Sequence, residues 1–143
     1  MSNFVERLKE QMQDMHLSQK TLQTEYGIAS ATTSDFLHGK NMPTYESLKK
    51  LLIVFNCSAD FLLGIDEFPT EETLYPLLPF ANRFKDVLAK KNISQERLKR
   101  ELPVSASVLY KWTSGKNTPS AISLVRLAKY LDCSVDYLIG RRR

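Results

Sequence analysis

The fold is most legible in residues 93–124, which read ISQERLKRELPVSASVLYKWTSGKNTPSAISL. Two segments of this stretch carry apolar residues at helical rather than alternating spacing, with Leu98 in the first and Leu109 in the second. Ser94 and Ser105 stand just before these segments. Serine is a favoured first residue of a helix because its hydroxyl accepts a hydrogen bond from the free amides of the first turn. The stretch therefore predicts two short helices separated by a tight turn.

The same pattern occurs a second time in the chain. Residues 4–64 align with residues 80–140 without a gap, and 19 of the 61 aligned positions are identical. The identical pairs include Ser18 with Ser94, Gln19 with Gln95, Gly39 with Gly115, Asn41 with Asn117, Pro43 with Pro119 and Cys57 with Cys133. Two repeats are too few for a solenoid, so each is expected to be a self-contained domain of about 60 residues.

The residues between the repeats differ from them in composition. Residues 65–79 contain four acidic residues, no basic residue and prolines at positions 69, 76 and 79. Because proline interrupts helices, we expect a linker here, between a first domain at 1–64 and a second at 80–143. The apolar second half of the linker, residues 74–78, is expected to pack against another part of the protein.

Five short helices and no strand are predicted in each repeat, so the expected fold class is all-α. The first helix is predicted at 3–14 in copy one and 79–90 in copy two, the second begins at Ser18 and Ser94, and the third is predicted at 29–37 and 105–113. The fourth follows Pro43 and Pro119, and the fifth follows Ser58 and Ser134. Gly39 and Gly115 stand where a left-handed residue would end the third helix. Val104, Leu109 and Trp112 are expected to face the core of copy two.

The second and third helices, with the short turn between them, have the helix-turn-helix layout. Three segments of copy two resemble the Cro and phage lambda repressor family, also called the XRE family: Ile93-Ser94-Gln95-Glu96-Arg97-Leu98, then Val104-Ser105 followed by Trp112, Gly115-Lys116 and Pro119, and the ending Leu131-Asp132-Cys133-Ser134-Val135-Asp136-Tyr137-Leu138. The resemblance covers both repeats. It implies two tandem five-helix, lambda-repressor-like DNA-binding domains.

In that family the start of the second helix abuts a DNA phosphate and the third helix lies in the major groove, which implies a set of DNA-contacting residues. Those of copy two are Ser94, Gln95, Ala106, Ser107, Tyr110, Lys111, Lys116 and Asn117. Ser94 and Gln95 would hold a phosphate, residues 106–111 would face base edges, and Lys116 and Asn117 would hold the backbone. The alternative for each is an ordinary solvated helix face.

Copy one departs from this pattern. Its matching residues, expected to contact DNA more weakly, are Ser18, Gln19, Ser30, Ala31, Ser34, Asp35, Lys40 and Asn41. Thr33 replaces the core leucine of copy two, and Asp35 replaces Lys111. An acidic side chain near phosphates lowers affinity unless it accepts from a cytosine amine. His38 is interpreted as polar surface.

Charge separates the two copies further. Residues 4–64 carry a net charge of −1, residues 80–140 carry +6, the linker carries −4 and the last three arginines carry +3. Phosphate contacts supply most of the non-specific affinity of a DNA-binding protein. Copy two is therefore predicted to be the main DNA binder, and copy one either a weak binder or a pairing surface.

The function predicted is a sequence-specific, double-stranded DNA-binding transcriptional regulator, with repression as the expected sign. The alternative is a protein-interaction adaptor or antirepressor built on the same domains, since fold alone does not set function. A homodimer and an intramolecular pseudo-dimer both remain open as arrangements. We expect no small-molecule sensor domain, because the two repeats and the linker use up the chain.

Other function classes lack the residues that they need. We find no glycine-rich phosphate loop, no nucleophile paired with a base and no ligand spacing for a metal, so we expect no enzyme activity, no cofactor and no metal. The start of the chain lacks the basic and apolar segments of a signal peptide, and no apolar run approaches membrane-spanning length. A cytoplasmic, nucleoid-associated protein is the expectation.

Overall fold

The computed structural model describes residues 2–143, with side chains from residue 3 onward. The chain divides into two compact units. One holds the residues up to Thr73 together with Ser120–Ile122, and the other holds Leu74–Pro119 and Ser123–Arg143. None of the helices formed by residues 2–143 has the length and apolar composition needed to cross a membrane.

Each copy of the repeat forms five helices. Those of copy one are α1 (Ser2–Asp14), α2 (Gln19–Tyr26), α3 (Ser30–Leu37), α4 (Tyr45–Phe55) and α5 (Ala59–Leu62). Those of copy two are α6 (Phe80–Lys90), α7 (Gln95–Glu101), α8 (Ala106–Ser114), α9 (Ala121–Leu131) and α10 (Val135–Leu138). Residues 2–143 contain no strand, which confirms the all-α prediction and the count of five helices in each domain.

Serine side chains begin the helices where the sequence predicts them. The hydroxyl of Ser18 accepts from the amide of Thr21 at the start of α2. Ser94 does the same at α7, accepting from the amide of Arg97 at 3.1 Å. Ser105 begins α8 by accepting from the amide of Val108. In each case one of the free first-turn amides is satisfied, which stabilises a helix start by about 1 kcal/mol.

The core of copy two is built on aromatic packing. The rings of Phe84 and Trp112 meet edge to face, with centroids 6.4 Å apart. Leu109 is also buried. The predicted core positions of Leu109 and Trp112 are therefore confirmed. Val104 is a correction, because it lies in the turn before α8 and is only half-buried.

The core of copy one has a polar defect at the position of Leu109. Phe4 and Phe36 pack edge to face, with centroids 5.7 Å apart. Thr33 lies in this core with no exposed surface, and its hydroxyl has no hydrogen-bond partner among the described residues. A buried, unpaired hydroxyl costs about 1–3 kcal/mol of stability.

An arginine on α1 ties the two ends of copy one together. The guanidinium of Arg7 donates to the carbonyl of Phe61 at 2.8 Å and to that of Asp66 at 3.0 Å. It also lies over the Phe61 ring, 4.1 Å from the centroid. The last carbonyls of a helix have no partner inside that helix, so this side chain satisfies the end of α5.

Copy two repeats the arrangement 76 residues later, with deeper burial. Arg83, which is 4% exposed, donates from Nη2 to the carbonyl of Tyr137 at 2.6 Å and to that of Arg142 at 3.2 Å. Its guanidinium lies 4.5 Å from the centroid of the Tyr137 ring. Neither arginine is among the residues singled out from the sequence, although both copies carry arginine at this aligned position.

The apolar half of the linker packs as the sequence predicts, on the last residues of the second unit. The amide of Tyr75 donates to the carbonyl of Arg141, and that of Leu78 to the carbonyl of Ile139. The side chain of Leu78 fills the space where a Cβ on Gly140 would lie, at 2.6 Å. Glycine is therefore required at position 140, where φ is also +85°.

The three terminal arginines act partly as structure rather than as free charge. Arg141 forms a buried ion pair with Asp136, at 3.2 Å between Nη1 and Oδ1. Arg143 lies over the ring of Tyr75, 4.4 Å from its centroid. Part of the +3 that the sequence places at this end is therefore neutralised inside the fold.

Candidate nucleic-acid interface

Helix α8 has one buried side and one exposed side. Leu109, Trp112 and Thr113 are buried. All four of the predicted outward residues are exposed: Ala106, Ser107, Tyr110 and Lys111. Spacings of three and four residues place these side chains on one stripe of the helix. We call the stripe, together with Ser94, Gln95, Lys116 and Asn117, the copy-two recognition face.

The loop after α8 folds back against the end of that helix. Gly115 ends α8 in the left-handed conformation, with φ of 81°. The amide of Asn117 then donates to the carbonyl of Lys111 at 3.2 Å. The ammonium of Lys116 lies 5.2 Å from the ring centroid of Tyr110, which is itself 57% exposed. The fold thereby places Lys116 beside the stripe, as the prediction requires.

The start of α7 supplies the remaining part of the copy-two recognition face. Ser94 and Gln95 are both exposed. The hydroxyl of Ser94 caps α7, so this residue stabilises the helix start in addition to lying on the exposed surface. The amides of the first turn point outward from the helix start and carry partial positive charge. This arrangement favours an anion at the surface beside Gln95.

The copy-one side chains that are predicted to contact DNA weakly are less exposed than their counterparts in copy two. Ser30 is half-buried, and its hydroxyl donates to the carbonyl of Gln19 at 3.4 Å. Its amide donates to the side chain of Gln23, which begins α3 in place of a serine cap. Asp35 is half-buried and accepts from the amide nitrogen of Asn41 at 3.5 Å. These polar groups are paired within copy one.

The remaining copy-one positions divide between exposed and half-buried. Ala31, Lys40, Asn41 and Ser18 are exposed, whereas Gln19 and Ser34 are half-buried. His38 is exposed, and its Nδ1 lies 2.7 Å from the carbonyl oxygen of Ser34. Its interpretation as polar surface is consistent with this position.

A polar cluster holds α7 against α9 in copy two, and sequence reasoning missed it. The guanidinium of Arg97 donates to both carboxylate oxygens of Glu101, at 3.2 and 3.3 Å. The hydroxyl of Tyr130 donates to the same carboxylate. The bond from Tyr130 and the pair with Arg97 lower the pKa of Glu101, and the bond to Glu101 raises the pKa of Tyr130. Val54 and Thr21 stand at the positions of Tyr130 and Arg97 in copy one, so this cluster is particular to copy two.

Within the part of the chain that the structure describes, no three histidine, cysteine or acidic side chains come together as a metal site. Cys57 is buried and Cys133 is half-buried, and neither forms a disulfide. The copy-two recognition face is the candidate nucleic-acid interface.

Comparisons with known proteins agree with this layout. The Helix-turn-helix family model matches the chain twice, at residues 8–62 and 84–138. The HTH-type transcriptional activator BcrR of Enterococcus faecalis is 32% identical over 63 residues, which are 44% of this chain and 31% of that protein. No solved structure matches the chain. Since the family matches cover most of its residues, the chain belongs to the Cro/C1-type helix-turn-helix family, with two tandem copies.

Proposed function

We propose that this chain is a transcriptional regulator that binds double-stranded DNA sequence-specifically, with α8 of copy two in the major groove. One observation carries the proposal: residues 106, 107, 110 and 111 form an exposed stripe on a helix whose Leu109, Trp112 and Thr113 are buried in the core. The major groove admits one helix and presents a distinct donor and acceptor pattern for each base pair. The family match and the regulator relative support DNA binding in transcription regulation.

The stripe offers chemistry for both base and backbone contacts. Lys111 can donate to guanine acceptors or to a phosphate, and Ser107 can donate to or accept from a base edge. Ala106 is small enough to contact a thymine methyl group. Tyr110 can reach a base or a phosphate, and the neighbouring ammonium of Lys116 adds positive charge at this point.

The edges of the copy-two recognition face would hold the DNA backbone. The exposed start of α7, at Ser94 and Gln95, would receive one phosphate, because free amides and the helix dipole favour an anion there. Lys116 and Asn117 would receive phosphates on the other side of α8. Contacts of this kind set register and affinity, whereas the stripe sets sequence preference.

Copy one is proposed to bind DNA weakly through the equivalent residues 18, 19, 30, 31, 34, 35, 40 and 41. Its net charge of −1 gives little attraction to phosphates, and Asp35 is paired with Asn41. Pairing of copy two with copy one of the same chain, or with copy two of a second chain, would present two helices to half-sites about 34 Å apart. We propose repression as the sign of regulation, because a bound domain occludes its site.

The test is an electrophoretic mobility shift with the full chain and a random duplex at about 50 and 200 mM salt. We expect retardation at low salt that weakens by at least about tenfold at the higher concentration, since several phosphate contacts are released together. Selection from a random DNA pool would then yield a motif. A single short motif indicates one reading copy, and a bipartite motif indicates two.

A second function, a protein-interaction adaptor, is favoured by one observation on copy one. The serines and the aspartate of its third helix are half-buried or bonded within the domain, which suits a scaffold better than a DNA reader. Absence of any retarded species at low salt would support the adaptor and overturn the regulator. A reporter driven by the selected motif would separate repression from activation.

A further inference from the structure

Copy two contains an apolar cavity behind its helix-turn-helix. The cavity has a volume of about 180 Å³ and lies within the second unit, between the turn before α8, the inner side of α8 and the helix α9. Leu102, Val104, Val108 and Trp112 form its apolar wall. Val108 is 39% exposed and Val104 is half-buried, so this wall is left partly uncovered.

The same region of copy one is closed by its own residues. Ile28, at the position of Val104, is only 2% exposed. The ammonium of Lys50 on α4 donates to the carbonyl of Gly27 at 3.0 Å, across the turn. In copy two the residue at the position of Lys50 is Arg126, which lines the cavity, is exposed and has no hydrogen-bond or ion-pair partner among the described residues.

We propose that this cavity binds a small aromatic carboxylate, with the ring against the apolar wall and the carboxylate on Arg126. A cavity of about 150 Å³ is large enough for a benzene ring, so the volume admits a ligand of about ten non-hydrogen atoms. The guanidinium group presents a planar pair of donors that matches a carboxylate. A single cation at the rim of an apolar cavity favours a monoanion over a neutral or doubly charged molecule.

The site would couple ligand binding to DNA binding, a step that rests on the function proposed above. Val108 and Trp112 belong to α8, whose opposite side carries the copy-two recognition face. A ligand bound in this cavity would contact α8 and the preceding turn, and so could alter how α8 is held against DNA. If the ligand changes the affinity for DNA by some factor, DNA must change the affinity for the ligand by the same factor. The signal for a regulator could then be received inside the DNA-binding domain itself.

The test uses Trp112, the single tryptophan of the chain, as a reporter in the cavity wall. The full chain, without DNA, is titrated with phenylacetate while tryptophan fluorescence is recorded. We expect a saturable change with a Kd of about 1 mM or lower, typical of the affinity that about ten ligand atoms supply. The neutral analogue 2-phenylethanol is expected to bind at least about tenfold more weakly, because it lacks the charge that Arg126 recognises.

Two variants make the result specific. Arg126→Gln, an exposed substitution on α9, is expected to weaken phenylacetate binding by about tenfold or more without altering the circular dichroism spectrum. Lys129→Gln on the same helix, also exposed, removes one positive charge away from the cavity lining and is the matched control, with no expected effect.

The proposal is overturned if phenylacetate gives no saturable change up to about 10 mM, which is ten times the expected Kd, or if Arg126→Gln binds it as well as the unchanged protein. Mobility shifts of the same preparations without ligand report DNA binding separately. A protein that binds phenylacetate but no DNA would retain the site and refute the regulator. A protein that binds DNA but no phenylacetate would support the regulator and refute the ligand site.

Discussion

The two copies share a fold and differ in what they leave exposed. Copy two presents Tyr110 and Lys111 on an exposed stripe, with Lys116 beside them. Copy one presents Ser34 and Asp35 at the matched positions, both half-buried. The serine cap of the second helix and the arginine between the first and fifth helices are the same in both. The comparison shows that the scaffold and the partner-facing surface of this domain vary independently.

The largest expected effect concerns the shared arginine. Arg83→Met leaves the carbonyls of Tyr137 and Arg142 without their charged donor and should lower the free energy of unfolding of copy two by about 2–4 kcal/mol. Urea unfolding followed by the fluorescence of Trp112 measures copy two alone. Arg7→Met, in the less buried equivalent, is expected to cost copy one less and to leave this fluorescence transition unchanged. A larger loss from Arg7→Met would reverse the ranking of the two arginines.

The charge difference between the copies gives the next largest effect. Lys111→Glu reverses a charge on the copy-two recognition face and should weaken binding to the selected duplex by about 30-fold, equivalent to about 2 kcal/mol. Asp35→Lys in copy one should change affinity by less than about threefold. Fluorescence anisotropy at fixed salt measures both variants. Lys99→Glu, an exposed lysine on α7 outside this face, controls for net charge. Our assignment of copy two as the main reader fails if Asp35→Lys has the larger effect.

A smaller effect is expected at the start of the second helix of each copy. Gln95→Ala should weaken DNA binding by about fivefold, because one contact to the DNA backbone is lost while Ser94 still caps α7. Gln19→Ala is the matched change in copy one. There the glutamine is half-buried, and its backbone carbonyl accepts from the hydroxyl of Ser30. We expect it to alter affinity by less than about twofold. Equal losses for the two variants would mean that both copies contact DNA with similar strength.

The smallest effect tests the polar defect in the core of copy one. Thr33→Val replaces the buried hydroxyl by a methyl group of similar size and should stabilise copy one by about 0.5–1 kcal/mol. Urea unfolding followed by circular dichroism is the measurement, with the fluorescence transition of copy two as internal reference. A loss of stability would indicate that the hydroxyl is hydrogen-bonded after all, for example to water.

Most of the helix positions and part of the interface could be predicted because their causes are local. A serine cap acts within three residues, as Ser94 does on the amide of Arg97, and the left-handed turn at Gly115 needs only one residue. The stripe on α8 follows from helical spacing once Leu109 and Trp112 are assigned to the core. The repeat strengthened each of these inferences, because the same local signals occur twice.

The sequence by itself therefore determined the helices, their caps and the charge of each copy, since these depend on neighbours in the chain. Only the tertiary structure decided which polar groups are paired. Arg83 meets a carbonyl 54 residues away, and Leu78 fills the space above Gly140. The cavity beside Arg126 arises from side-chain volumes on three elements, which no local pattern records. Such contacts depend on how the helices pack in three dimensions, and the spacing of residues along the chain does not determine the distances between packed helices.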